Sequence, residues 1–371
     1  MKGAARERVY MGTIFPLGPY HPALSEPLAL RLRLRSERIM SVGESAAGAT
    51  GYSHRGILEL AEGLPLDDAL VILERVCGRA GQSYRLALCL AVERIAKPQM
   101  ARQAQLIRTL FAELERLNSA LWTLGEIARA VNQRKLWAEA LDQRERVFEA
   151  ASAATGERVF WAVAQPGGVR GELKLAPVRA FAEGAPDIYE QWRQAAAIGG
   201  ALRRATEGIG RQAESAEIAG ERAGHGPSAD DARRAGPYDA YRMLSLDWSP
   251  LDALDTAPLS VATSVARLVA GMKLSVDITL ACLDELDGEP GLAAAALKLV
   301  AGEGSATAQS PHGPARVSVT LESDGTVAAL QLKTSCAETI AIAPELLTGR
   351  MLGEAPALLA APDLCPACAE L

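Results

Sequence analysis

Aromatic side chains are scarce. Phe, Trp and Tyr make up 5% of 371 residues, although 49% of the chain is hydrophobic. Alanine and leucine must supply most of the apolar mass, which favours helices over sheets. A basic excess is missing too: 39 basic side chains face 45 acidic ones, for a formal charge of −6. That balance excludes a dominant basic surface for nucleic acid. No run reaches the roughly 18 apolar residues that a membrane-crossing helix needs. Ala293 to Ala301 is apolar, but it is short and broken by Lys298. Met1 to Tyr10 carries charge and no apolar leader core. The six cysteines are spread out. Without a leader, they point to a reducing compartment rather than a disulfide framework. No internal repeat is found.

What is present has a clear order. Leu28, Leu30, Leu32 and Leu34 alternate with Arg31, Arg33 and Arg35, the period of a half-buried strand. A turn at Ser36-Glu37-Arg38 and a second strand complete a hairpin. Gly51 to Gly56 reads as a polar loop opening a helix. From Leu66 to Ala154 the pattern is helical. Leu106, Leu110, Leu114, Leu117, Leu121, Leu124 and Val131 share one face. That helix is expected to run roughly 30 residues, or about 45 Å at 1.5 Å per residue. Pro166-Gly167-Gly168 breaks the pattern, helices continue to about Ile209, and they return from Leu259 to Asp287. Between them, Gly210 to Gly236 is a polar, glycine-rich crossover. Arg316–Leu321 and Thr326–Lys333 flank an Asp-Gly turn and predict a β-hairpin. The last segment reads as loop. The fold class expected is α+β, mainly α: one long-helix bundle with small antiparallel β elements at the N- and C-terminal ends. Its expected parts are a β region over 1–60, a helical bundle over 61–300 with its loop at 210–236, and a hairpin with a cysteine tail over 301–371.

The chemistry concentrates at two places. Cys77 lies between Glu74-Arg75 and the helical stretch Leu86–Ile95, with Gly78 and Gly81 expected to let the backbone turn tightly. Cys365-Pro366-Ala367-Cys368 lies near the other end of the chain. Thiols at both ends predict a metal site closed by the fold, with one corner missing. Bland readings stand beside the sharp ones. Cys77 can be a small buried hydrophobe. Cys365 and Cys368 can form a local zinc half-site or a redox pair. Cys89, Cys282 and Cys336 read as core thiols. His21 can brace its own loop, His54 and Arg55 can cap a helix, and His312 can be a surface residue.

Taken together, a series of short motifs resembles a known family. The series starts with Gly18-Pro19-Tyr20-His21-Pro22-Ala23-Leu24-Ser25-Glu26-Pro27, then Gly51-Tyr52 with His54-Arg55-Gly56, then Glu74-Arg75-Val76-Cys77-Gly78. It continues with Arg108, Glu113-Leu114-Glu115-Arg116, Arg144-Glu145, Thr155-Gly156-Glu157-Arg158 and Gly167-Gly168-Val169-Arg170. Pro237-Tyr238 with Tyr241, and Cys365 with Cys368, close it. In this order the motifs resemble the large subunit of membrane-bound, energy-converting (group 4 type) NiFe hydrogenases and the related 49-kDa (D) subunit of respiratory complex I. The resemblance implies that terminal cysteines converge on a Ni–Fe centre beside a small subunit carrying a 4Fe–4S cluster. Cys77, Cys365 and Cys368 are then the metal ligands. His54 and Arg55 are then cofactor-binding residues near the partner's cluster, where a fixed arginine charge raises the cluster's potential. His21 and His312 are the candidate catalytic side chains. The family's C-terminal cleavage would fall at Leu371.

The departures bear on function. The fourth thiolate position is Ala80, and soft sulfur ligands are what hold and tune such a metal. A histidine one turn on is Tyr84. The proton-relay glutamate falls at Leu58. The arginine over the metal falls at His312, in Gln309-Ser310-Pro311-His312-Gly313. Asp-Pro-Cys becomes Asp363-Leu364-Cys365. On the quinone side, a histidine and a tyrosine become Ser25 and Gly78, and a histidine near the cluster becomes Ala120. The resemblance therefore implies a large-subunit component of a membrane-associated hydrogenase-like or NADH-quinone-oxidoreductase-like redox complex. It docks an iron–sulfur small subunit for electron transfer and sits peripherally on the cytoplasmic face of the cell membrane through membrane subunits. Ordinary hydrogen turnover is disfavoured, and the Ni–Fe centre has an incomplete ligand set or is absent. The alternative is a non-catalytic structural or assembly subunit with no bound metal.

Overall fold

The longest described helix, α3 (Arg102–Ala130), is buried over most of its circumference, as a central rod must be. A computed structural model of the chain describes residues 12–21, 24, 26–43, 55–210, 260–286, 297–369 and 371. Before α3 come α1 (Leu66–Glu74) and α2 (Gly81–Ala96). After it come α4 (Arg134–Thr155), α5 (Ala176–Ala196), α6 (Ala201–Thr206) and α7 (Val261–Glu285). α4 and α7 flank the rod, and α5 packs on both of them. The run read as helical from Leu66 to Ala154 comprises four helices, and the rod expected at roughly 30 residues is the 29-residue α3. α4 stops at Gly156, whose φ of +82° forms a left-handed cap. α7 starts from a capping box between Ser260 and Thr263.

Three-stranded antiparallel sheets precede and follow the helices along the chain. The first joins β1 (Thr13–Leu17), β2 (Leu30–Arg35) and β3 (Arg38–Gly43) in that order. In β2 every leucine is buried and every arginine exposed, as the alternation predicts. A short pair, β4 (Ala164–Gln165) and β5 (Gly168–Val169), turns at Pro166-Gly167. The last sheet joins β6 (Gly302–Ser310), β7 (Gly313–Leu321) and β8 (Val327–Lys333). The expected hairpin is β7–β8, while β6 is an additional strand paired along the whole of β7. The segment read as loop after β8 instead holds the short helices α8 (Cys336–Ala341), α9 (Ala343–Leu347) and α10 (Ala355–Ala360).

Backbone hydrogen bonds tie the two ends of the chain together. Ile39 N donates to Arg350 O at 2.8 Å, Gly349 N to Ile39 O at 2.7 Å and Leu352 N to Glu37 O at 2.7 Å. α10 packs on α3 and so carries the cysteine tail back to the rod. Most of the crossover after Gly210, and Pro237, Tyr238 and Tyr241 with it, lies outside the described residues.

Candidate metal centre

Six residues, Arg75 to Ala80, connect α1 to α2 and carry Cys77. The connection is held by buried polar joints. Glu74 accepts from Ala162 N at 2.8 Å and pairs with Arg85 at 3.3 Å. Arg85 also donates to Ala164 O at 2.6 Å. The start of α2 has no capping side chain of its own, because Ala80 stands there. Glu115, from α3, takes over: it accepts from Gln82 N at 2.7 Å and from Ser83 N at 2.9 Å. Burial pushes the Glu115 carboxyl up to about 7 despite these bonds. Gly78 and Gly81 do not serve as left-handed turn residues. Gly81 is needed for close approach, since a Cβ there would lie 2.2 Å from Glu74 O.

The tail is fixed separately. Cys365 to Cys368 form one tight turn, with Cys368 N donating to Cys365 O at 3.1 Å. Thr334 Oγ1 donates to Cys368 O at 2.7 Å, and Ala367 N donates to Glu26 at 2.9 Å. Arg55 joins both thiol segments from outside, donating to Val76 O at 3.0 Å and to Ala367 O.

These supports bring Cys77, Cys365, Cys368 and His312 together, all buried, with ligand atoms within 4.8 Å of one another. Cys77 Sγ is 3.7 Å from Cys365 Sγ and 3.8 Å from His312 Nε2. Cys365 Sγ is 3.3 Å from Cys368 Sγ. His312 comes from the turn between β6 and β7, where Ser310 Oγ accepts from its backbone N at 3.2 Å. Its Nδ1 is 2.8 Å from Asp363 Oδ2. Asp363 also accepts from Arg79 at 2.8 Å and from Thr123 Oγ1. Arg79 N donates to Cys77 Sγ at 3.4 Å.

The charges are arranged around Cys365. Hydrogen bonds from Cys368 and Cys77, with Arg79 and His312 nearby, hold its thiol well below the ordinary range despite burial. Burial instead pushes Cys368 well up. Cys77 is also raised, chiefly through its bond with Cys365. These directions favour the charged form at Cys365 over its two neighbours. Burial opposes the charged form of His312, but Asp363 outweighs it and raises the imidazole well above its usual value. Asp363 is correspondingly held low by His312 and Arg79 against the effect of burial. Cys89 is pushed up to about 12 by burial and Cys282 is raised in the same way, as inert core thiols are.

The expected metal ligands Cys77, Cys365 and Cys368 therefore meet, and His312 joins them. His21 lies in its loop outside the four-residue cluster, its carbonyl accepting from Leu24 N at 2.9 Å. Arg55 touches the backbone next to two of the thiol positions, and His54 lies outside the described residues. Leu58 packs against the core, and Ala80 is fully buried with no donor to offer. Tyr84 is fully buried, its hydroxyl has no hydrogen-bond partner, and it lies within electrostatic reach of Cys368, Cys336, Cys77 and Cys365. Sequence reasoning assigned no role to Glu26, Arg79, Thr123 or Asp363. Asp363 and Arg79 lie two residues from a cysteine, but Glu26 and Thr123 reach the site only through the tertiary fold. Three thiols with one imidazole do not fit a dinuclear Ni–Fe centre, which calls on four thiolates, so no chemistry is assigned through one.

No family model matches the chain. A D subunit (number 1) of the NADH-quinone oxidoreductase of Chloroherpeton thalassium is 28% identical over 242 residues, spanning 63% of this chain and 54% of that protein. The D subunit of the F(420)H(2) dehydrogenase of Methanosarcina mazei is 27% identical over 372 residues, spanning 95% and 96%. The alpha subunit of the membrane-bound hydrogenase of Pyrococcus furiosus is 27% identical over 315 residues, spanning 80% and 73%. Among solved structures, a chain of the membrane-bound sulfane sulfur reductase, an archaeal respiratory membrane complex, shares the fold. Its TM-score is 0.81 at 22% identity, covering 97% of this chain and 98% of that one. Among the described residues, no helix is long and apolar enough to cross a membrane.

Proposed function

We propose, for a chain whose relatives are D subunits of NADH-quinone and F(420)H(2) oxidoreductases and the alpha subunit of a membrane-bound hydrogenase, the role of large subunit in a membrane-associated redox complex. It docks an iron–sulfur small subunit and sits on the inner face of the membrane through integral subunits. The observation that carries this reading is the thiol cluster, in which Cys77 from the α1–α2 connection meets Cys365 and Cys368 from the C-terminal tail. Arg55 bonds to the backbone of both thiol segments, and in the proposed complex it faces the partner's cluster.

Hydrogen turnover is not part of the role. Ala80 supplies no fourth thiolate, and Leu58 carries no proton. The chain then transmits assembly and electron-transfer geometry rather than reacting with hydrogen itself. This matches the structural version of the role, in which the site no longer houses the family's metal pair.

The test is affinity purification of the tagged chain from detergent-solubilised membranes. An iron–sulfur protein and integral membrane subunits should accompany it in fixed ratio. Recovery of the chain alone from the soluble fraction would sink the proposal. In the intact complex, Arg55→Gln should lower the midpoint potential of the neighbouring cluster while leaving the subunit ratio unchanged.

A further inference from the structure

We propose that Cys77, His312, Cys365 and Cys368 hold a single zinc ion in a closed tetrahedral site, with His312 filling the corner that Ala80 leaves without a ligand. This goes beyond the docking role and does not depend on it.

Around zinc, a sulfur at about 2.3 Å and a nitrogen at about 2.0 Å give tetrahedral edges of about 3.8 Å between two sulfurs and about 3.5 Å between sulfur and nitrogen. The Cys77–Cys365 separation is 3.7 Å and Cys77 to His312 Nε2 is 3.8 Å. Cys365 to Cys368 is 3.3 Å, which opens by a small rotation about the Cys368 side chain. All four ligand atoms already lie within 4.8 Å of each other. Little backbone movement is needed to bind the ion.

The surroundings are those of a ligating histidine. A metal-bound imidazole gives its second ring N–H to a carboxylate, which fixes its tautomer and aims the other nitrogen. Asp363 accepts from Nδ1 at 2.8 Å, leaving Nε2 facing the thiols. Asp363 is itself held by Arg79 and Thr123. The backbone N–H of Arg79 donates to Cys77 Sγ, as amides do around zinc-bound thiolates.

The donor set decides the ion. Three thiolates with one imidazole in a tetrahedron suit zinc, which has no redox chemistry of its own. Four protein ligands leave no open position for substrate. The site is therefore a staple: it joins the α1–α2 connection, the β6–β7 turn and the C-terminal tail. His312, which stands where the motif series has an arginine, is here a structural ligand rather than a catalytic group.

The experiment uses the full chain with whatever subunits accompany it, purified anaerobically. Mass spectrometric metal analysis should find one zinc per chain that is lost in Cys365→Ser. Zinc-edge X-ray absorption should fit three sulfurs at about 2.3 Å and one nitrogen at about 2.0 Å. His312→Cys should keep the zinc and convert the shell to four sulfurs. Asp363→Asn should weaken zinc about 10- to 100-fold in competition with a chelator. Nickel with iron at the site, a chain that takes up no zinc on reconstitution, a Cys365–Cys368 disulfide, or an unchanged shell in His312→Cys would each overturn the inference. A complex that assembles without zinc overturns this inference alone. Zinc in a chain with no partners overturns only the docking role.

Discussion

Glu115 shows how a single residue can tie site geometry to pH. It caps α2 from a neighbouring helix, at a buried position where its charge is poorly solvated. Its carboxyl lies near 7 folded, against 4.5 as an ordinary glutamate. Between those values the folded chain binds more protons than the unfolded one, so this group favours folding at low pH. Its contribution is complete below about 4.5 and is lost as pH rises through about 7. The shift corresponds to a difference on the order of 3 kcal/mol. In Glu115→Gln that titration is absent. Urea midpoints at pH 5 and pH 8 should therefore diverge less in the variant than in the parent, and equal divergence would show that Glu115 titrates normally. Nothing local in the sequence marks this role. Glu115 is legible as part of a motif, but the helix end that it caps lies 33 positions away at Gln82.

At the scale of elements, the decisive packing is α2 against β6. A Cβ at Gly304 would fall 2.1 Å from the Ala91 carbonyl oxygen. Gly304→Ala should therefore push the strand off the helix and destabilise the fold by about 1–3 kcal/mol. It should also disturb His312, which follows the same strand. Gly271, in the middle of α7, is the contrast, because a Cβ there meets nothing within 4 Å. Gly271→Ala should stabilise by about 0.5–1 kcal/mol through helix propensity. Thermal unfolding of both variants checks the pair, and the same sign for both would refute the packing account. This contact also explains what the sequence concealed. β2 announces itself through alternating leucine and arginine. β6, Gly-Glu-Gly-Ser-Ala-Thr-Ala-Gln-Ser, has no such alternation, and its glycines lie close against α2. α8, α9 and α10 escape for another reason: at five or six residues each, they are too short for a 3.6-residue period to register. The α3 rod is legible because its stripe repeats through a 29-residue helix.

At the scale of the whole molecule, two clamps of different chemistry act on the tail beyond β8, alongside the packing of α10 on α3 and the bonds from Thr334, Glu26 and Arg55. The backbone bonds from Gly349, Arg350 and Leu352 to the β2–β3 turn and β3 form the first. The thiol–imidazole cluster forms the second, further along the chain. Only the second responds to metal. If zinc stands at about 1,000 times its dissociation constant, its withdrawal removes about 4 kcal/mol from the folded state. The loss should not be spread evenly. α10 remains packed on α3, and the first clamp remains closed. Release is then confined to the segments that the ion joins: the Cys77 connection, the turn at His312 and the tail from Asp363 onward. Hydrogen exchange with and without a strong zinc chelator should lose amide protection in those three segments together, while the middle of α3 keeps its protection. Protection lost from the tail alone would mean that Cys365 and Cys368 act as a local pair. Uniform loss would mean that the metal supports the bundle rather than stapling its ends.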